Sequence, residues 1–131
     1  MKIITAAALV AISTLAVQAQ QAQGISGIFQ TQANDEGHLG MVEFYDCGGK
    51  YCGTLVRSFD KSGKEINSPN TGKNIVANMT DNGDGSFSGG TIWDPGSGKT
   101  YKSKMSLSGK TLNVSGCVAI FCRTQVWTKV K

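Results

Sequence analysis

Tyr101-Lys102-Ser103-Lys104-Met105-Ser106-Leu107-Ser108-Gly109-Lys110-Thr111-Leu112-Asn113-Val114 decides the fold class. Tyr101, Ser103, Met105 and Leu107 alternate with Lys102, Lys104 and Ser106, a period of two that belongs to a strand. The lysine face has to be in water, so the Tyr-Met-Leu face points inward. After the turn Ser108-Gly109-Lys110, Leu112, Val114 and Val118 alternate with Thr111, Asn113 and Ser115. Two such runs joined by a short Gly-containing segment read as a β-hairpin.

The same pattern extends in both directions. Strands are expected at about 25–32, 40–47, 52–59, 73–80, 86–94, 100–107, 111–118 and 122–130. Turn residues separate them: Asp35-Glu36-Gly37, Gly48-Gly49-Lys50, Asp81-Asn82-Gly83-Asp84-Gly85 and Pro95-Gly96-Ser97-Gly98. Asn-Gly and Asp-Gly supply the positive φ that tight hairpins need. The longest gap, Asp60 to Gly72, is polar, holds one Pro and reads as a loop. In the last run Arg123, Gln125, Trp127 and Lys129 share a face, opposed by Thr124, Val126 and Val130. No stretch carries sustained helical periodicity. The fold expected is all-β, with eight sequential antiparallel strands closing into an up-and-down barrel. Closure removes the unpaired edges of an open sheet. A two-sheet sandwich needs several long crossovers, and only one connection here is long enough.

The amino terminus reads differently. Lys2 is followed by an apolar run from Ile3 to Val17, then Val17-Gln18-Ala19 and polar Gln20-Gln21. This is the three-part pattern of a signal-peptide helix, and the run is shorter than the ~20 residues a bilayer span needs. Residues 1–19 are read as a cleavable signal peptide and 20–131 as one domain, with no membrane span in the mature protein. No cysteine follows the apolar run, so lipid attachment is not expected. The location expected is periplasmic or secreted. The chain carries 13 basic and 9 acidic side chains, a net charge of +4, and loss of Lys2 lowers that by one. Its basic residues are scattered, which reads as a solvated surface rather than a nucleic-acid patch.

Cys47 and Cys52 flank Gly48-Gly49-Lys50-Tyr51, and Cys117 and Cys122 flank Val118-Ala119-Ile120-Phe121. Both pairs fall where one strand hands over to the next. Opposed Cα atoms in a hairpin are ~4.5–5.5 Å apart, within disulfide reach. An exported chain meets an oxidising compartment. The expected cross-links are Cys47–Cys52 and Cys117–Cys122, although spacing alone leaves the other two pairings open. Zinc ligands are usually closer in sequence, and the single histidine, His38, has no partner motif, so no metal or other cofactor is expected.

Two segments imitate known motifs. Gly96-Ser97-Gly98-Lys99-Thr100 ends like a phosphate-binding loop, but Trp93 stands where that loop needs its first Gly, and a strand follows instead of a helix. Thr80 to Gly85 loosely resembles a calcium loop but starts on Thr. Turns account for both. One His and no nucleophile signature argue against triad chemistry. Glu43, Asp46 and Asp94 are the carboxylates that a hydrolase would use, and no spacing places them together; the chain is not expected to be an enzyme.

From Cys47-Gly48-Gly49-Lys50-Tyr51-Cys52-Gly53 outward the chain resembles the bacterial family of the domain of unknown function 2147. The segments carrying the resemblance, in order, are Gly27-Ile28-Phe29, Val42-Glu43-Phe44-Tyr45-Asp46-Cys47, Gly90-Thr91-Ile92-Trp93-Asp94-Pro95, Gly98-Lys99-Thr100-Tyr101, Leu112-Asn113-Val114-Ser115-Gly116-Cys117 and Arg123-Thr124-Gln125-Val126-Trp127-Thr128. The chain departs from the pattern at Phe29, where Trp is usual, at Trp93, where Tyr or Leu is more frequent, and at Lys129, where Arg is common. The resemblance implies a lipocalin-like barrel and no established activity. It also implies a base closed by the first-strand aromatic under a basic side chain of the last strand, here Phe29 and Arg123; such a stack is worth ~0.5–2 kcal/mol. Small eight-stranded barrels either fill with side chains or hold one small ligand. The function expected is binding of a small, mostly apolar ligand lined by Tyr45, Trp93, Tyr101, Met105 and Trp127. The alternative is a filled barrel acting as an envelope or protein-interaction module, with a carboxylate hydrolase behind both.

Overall fold

The alternation at Tyr101–Leu107 lies in one of nine strands of the computed structural model, which describes residues 24–131. The expected signal peptide lies outside the described residues. The strands are β1 (Gly27–Gln30), β2 (Leu39–Asp46), β3 (Tyr51–Phe59), β4 (Glu65–Ile66), β5 (Asn74–Asp81), β6 (Ser86–Asp94), β7 (Lys99–Ser108), β8 (Thr111–Val118) and β9 (Phe121–Lys129). Their order is β2-β1-β9-β8-β7-β6-β5-β3-β4, and β2 also pairs with β3. That extra pairing closes an eight-stranded antiparallel barrel in which β4 is only a two-residue flap on the end of β3.

β4 lies in the segment expected to be loop. The Asp60 carboxylate accepts bonds from the Ser62 and Lys64 amides and the Ser62 hydroxyl, which folds the chain back so that Ser58 faces Ile66. Asp84 does the same in the next long turn, accepting from the amide and hydroxyl of Ser86. Both carboxyls are held below their ordinary 3.8, Asp60 chiefly by the Ser62 hydroxyl and Asp84 chiefly by that of Ser86.

Antiparallel strands put alternate connections at opposite ends. The base holds the β2–β3, β5–β6 and β7–β8 turns, together with the start of the described chain and its carboxyl terminus. The mouth holds residues 31–38, 60–73 and 95–98 and the Ala119-Ile120 turn. At the base the Gly24 amide donates to Asp81 at 3.0 Å, drawing Ile25 under the barrel to 4% exposure. Above it Phe44 meets Phe29 edge-on at 5.4 Å and Trp127 at 6.2 Å, and all three rings are buried. Val42, Met79, Phe87, Met105, Leu112 and Val114 complete this packed half of the interior. The inward assignment of Met105, Leu112 and Val114 follows the sequence alternation; Val118 does not, because it lies beyond the wall at 61% exposure.

Both expected disulfides are present, and they leave no free cysteine. Cys117 and Cys122 are direct partners in the β8–β9 ladder, with Cα atoms 4.0 Å apart. Cys47 lies instead in the turn, its amide bonded to the Lys50 carbonyl, while Cys52 pairs with Tyr45, so this cross-link is diagonal. Each closes a short loop and is expected to contribute about 2 kcal/mol through the unfolded chain. Cys52 is also buried at 4%. Urea unfolding should therefore show a larger loss for the Cys47→Ser/Cys52→Ser double variant than for Cys117→Ser/Cys122→Ser. The reverse order would mean that the packing around Cys52 contributes nothing.

Candidate functional site

The inner wall is dry at the base and becomes accessible toward the mouth. On β9, Trp127 is 2% exposed, Gln125 is half-buried and Arg123 is open to solvent. On β8 the series from Leu112 and Val114 through Gly116 to Val118 runs the same way, and on β7 Met105 and Ser103 are buried while Tyr101 is half-buried. The indole N–H of Trp127 donates to Gln125 Oε1 at 2.8 Å, so the deepest polar group of β9 is satisfied.

Ser103 is not. It is 5% exposed, and its Oγ has no hydrogen-bond partner among the described residues. A buried hydroxyl left unpaired costs about 1–3 kcal/mol. Its cross-strand neighbours are Gly90 on β6 and Gly116 on β8, so no flanking side chain on this level reaches it from either side. Ile92 and Tyr101 lie immediately above: the Gly116 Cα faces them, with an added Cβ only 3.1 Å from Ile92 Cγ2 and 3.5 Å from Tyr101 Cβ. Beyond the last β7–β8 pair, Lys102 with Cys117, the strands part. They leave a rim hollow of about 490 Å³ edged by Lys99, Tyr101 and Val118. A second hollow, about 190 Å³, lies at the base between Gly24, Asp81 and Phe87.

Of the residues expected to line a cavity, Tyr101, Met105 and Trp127 face inward. Tyr45 and Trp93 do not. Tyr45 alternates with inward Val42 and Phe44, is 40% exposed, and its hydroxyl donates to Asn74 on the outer wall at 3.2 Å. Trp93 would share the face of Phe87 in a regular strand, but a bulge between Phe87 and Gly90 reverses the alternation. Ile92 therefore turns in, and Trp93 turns out beneath the Lys73 ammonium at 5.5 Å. Bulges of this kind re-aim side chains at barrel walls.

The expected stack of Phe29 and Arg123 does not form. The ladder pairs Phe29 with Lys129, whereas Arg123 faces Gly116 at the other end of β9. The base cation is Lys129, packed where a Gly27 Cβ would come within 2.9 Å of its Cε. The carboxylates stay apart as well. Glu43 is exposed on the outer wall, Asp46 caps the amides of Gly48 and Gly49 at the base, and Asp94 caps Gly96 and Ser97 at the mouth. At the segment that imitates a phosphate-binding loop, residues 95–98 form a turn closed by the Gly98 amide on the Asp94 carbonyl at 2.7 Å, and Lys99 begins β7. Ser103 and Gln125 are the polar groups that sequence reading passed over. The signal was a Ser in an otherwise apolar inward series.

Residues 27–129 match a family described as uncharacterized protein conserved in bacteria, DUF2147. The chain belongs to this family. No curated protein matches the chain. It is similar to a solved structure described as protein HP1028 from the human pathogen Helicobacter pylori, which belongs to the lipocalin family. The two are 20% identical with a TM-score of 0.65, over 81% of this chain and 82% of the other. The fold of this DUF2147 member is thus a lipocalin-like barrel. Among its described residues, no helix is long and apolar enough to cross a membrane.

Proposed function

We propose that this DUF2147 protein is an exported barrel that holds a small, mostly apolar ligand at its open end, with the Ser103 hydroxyl as the polar handle. The unpaired Ser103 Oγ carries this reading: a desolvated hydroxyl on an apolar wall is the kind of placed polar group that orients a ligand in a pocket. The packed base limits the ligand to a short one, which would enter from the rim hollow beside Tyr101 and meet Ser103 one level below it on β7. Export is supported by the Met1–Ala19 pattern and by two disulfides, which persist in oxidising compartments.

Ser103→Ala tests the handle with two opposite signs. Removing an unpaired hydroxyl should raise the stability of the ligand-free protein by about 1 kcal/mol. Removing a ligand's hydrogen bond should weaken binding about five- to tenfold. The readouts are urea unfolding and calorimetric titration with octanoic acid, a short fatty acid used as the probe. Destabilisation by Ser103→Ala, or probe affinity indifferent to it, counts against the reading.

A filled barrel without a ligand is the second reading. It is favoured by the way neighbours occupy the space over interior glycines: Leu55 over Gly40, and Val42 with Phe44 over Gly53. A parent protein that takes up no probe at all selects it.

A further inference from the structure

The most exposed apolar side chains sit together at the mouth. Val118 is 61% exposed, Ile120 86% and Phe121 75%. They form the tip of the β8–β9 hairpin, where Val118 pairs with Phe121 and Ala119-Ile120 makes the turn. Two-residue hairpin turns favour Gly, Asn or Asp because they need positive φ. Ala119 adopts φ 54°, a conformation that costs a Cβ-bearing residue. The tip therefore forgoes favourable turn chemistry and carries apolar residues in full solvent, and the Cys117–Cys122 cross-link directly beneath fixes its shape. Exposed apolar clusters of this kind mark contact with a partner or a membrane.

Charge identifies the partner. All nine carboxylates lie between Asp35 and Asp94, and every charged side chain after Asp94 is Lys or Arg. The register sets Lys102 opposite Cys117 and Arg123 opposite Gly116, so cations flank the tip on both sides, with Lys99 on the adjoining rim. Among the described residues none of these three forms a salt bridge. The nearest carboxylate in the register, Asp94 opposite Lys99, is engaged with its own turn. A four-residue tip is too small for the ~800 Å² per side that a stable protein complex buries. A bilayer makes no such demand, and its interface takes apolar side chains while anionic headgroups draw Lys and Arg. The described chain begins at Gly24 beside Asp81, at the opposite end of the barrel.

We propose that the Val118–Phe121 tip inserts into the surface of an anionic phospholipid bilayer, with Lys99, Lys102 and Arg123 against the headgroup phosphates. Ser103 has no part in this contact, which stands whether or not the barrel holds a ligand.

The test is flotation of the disulfide-intact protein with vesicles of phosphatidylcholine alone or with phosphatidylglycerol at three parts in ten. Binding is expected only to the anionic vesicles and should weaken in high salt. Ile120→Ser/Phe121→Ser should lower it at least tenfold. Lys102→Gln or Arg123→Gln should each lower it about fivefold. Circular dichroism and a non-reducing gel establish that each variant is folded and cross-linked. Four results overturn the proposal: no binding to either vesicle; binding that ignores the Ile120/Phe121 change and so reflects charge alone; displacement by millimolar inorganic phosphate, which would mean a free-anion site; or a self-association of the parent that the Ile120/Phe121 variant loses, which would mean the tip meets a second copy.

Discussion

Phe44→Ala is expected to lower the unfolding free energy by about 3–5 kcal/mol, the usual range for truncating a buried aromatic. Phe44 is 2% exposed and is the ring that touches both others at the base, Phe29 at 5.4 Å and Trp127 at 6.2 Å. Its ring also lies over Gly53, where an added Cβ would be 3.2 Å from Phe44 Cε2, so truncation opens a void that β3 cannot fill from its own side. Small domains have only about 5–15 kcal/mol of net stability, so this one change should remove a large share. Urea unfolding followed by far-UV circular dichroism measures it, since that signal does not depend on Trp127. A loss below about 1 kcal/mol would mean that the base collapses readily around the missing ring, contrary to a tightly packed base.

Gly90→Ala is expected to cost about 3 kcal/mol, at the upper end for inserting one methyl into a packed interior. An added Cβ would overlap the Ala77 carbonyl oxygen and approach the Asn78 carbonyl carbon to 2.8 Å. It would also come within 2.5 Å of Met79 Sδ, the flexible end of a side chain, but the decisive clash is with backbone. Asn78 sits at φ 57°, where β5 bows against the bulge in β6. A flexible neighbour can rotate away, but a carbonyl in a sheet ladder cannot without breaking pairing. Gly116→Ala is the control, because there the closest atom is Ile92 Cγ2 at 3.1 Å, the end of a side chain. It should cost distinctly less. Equal losses at the two sites would show that β5 yields as readily as a side chain, and the account of the bulge would fail with it.

The hairpin of β7 and β8 was legible because its alternation is regular and one of its faces carries lysines. The cross-links were legible because each pair of cysteines brackets one turn. Three features were not, each for a physical reason. The face of Trp93 depends on the bulge at Phe87–Gly90, and an extra residue in a strand leaves no mark in composition. The level of Arg123 depends on the β1–β9 register, which joins segments about a hundred residues apart; alternation reports a side chain's face but not its height on the wall. β4 exists because Asp60 bonds its own turn, a local contact within a segment that otherwise reads as coil. For the candidate site, alternation put Tyr101, Ser103 and Met105 on one face, and the structure turns that face, with Trp127, toward the interior; the Ser103 hydroxyl left no separate mark in the pattern.

Native mass spectrometry of the disulfide-intact protein, purified from its own host, tests the ligand reading most directly. The parent should carry a small co-purifying adduct that Ser103→Ala loses or holds at much lower occupancy, with both proteins equally folded. A bare mass for the parent that a panel of fatty acids fails to shift would contradict it.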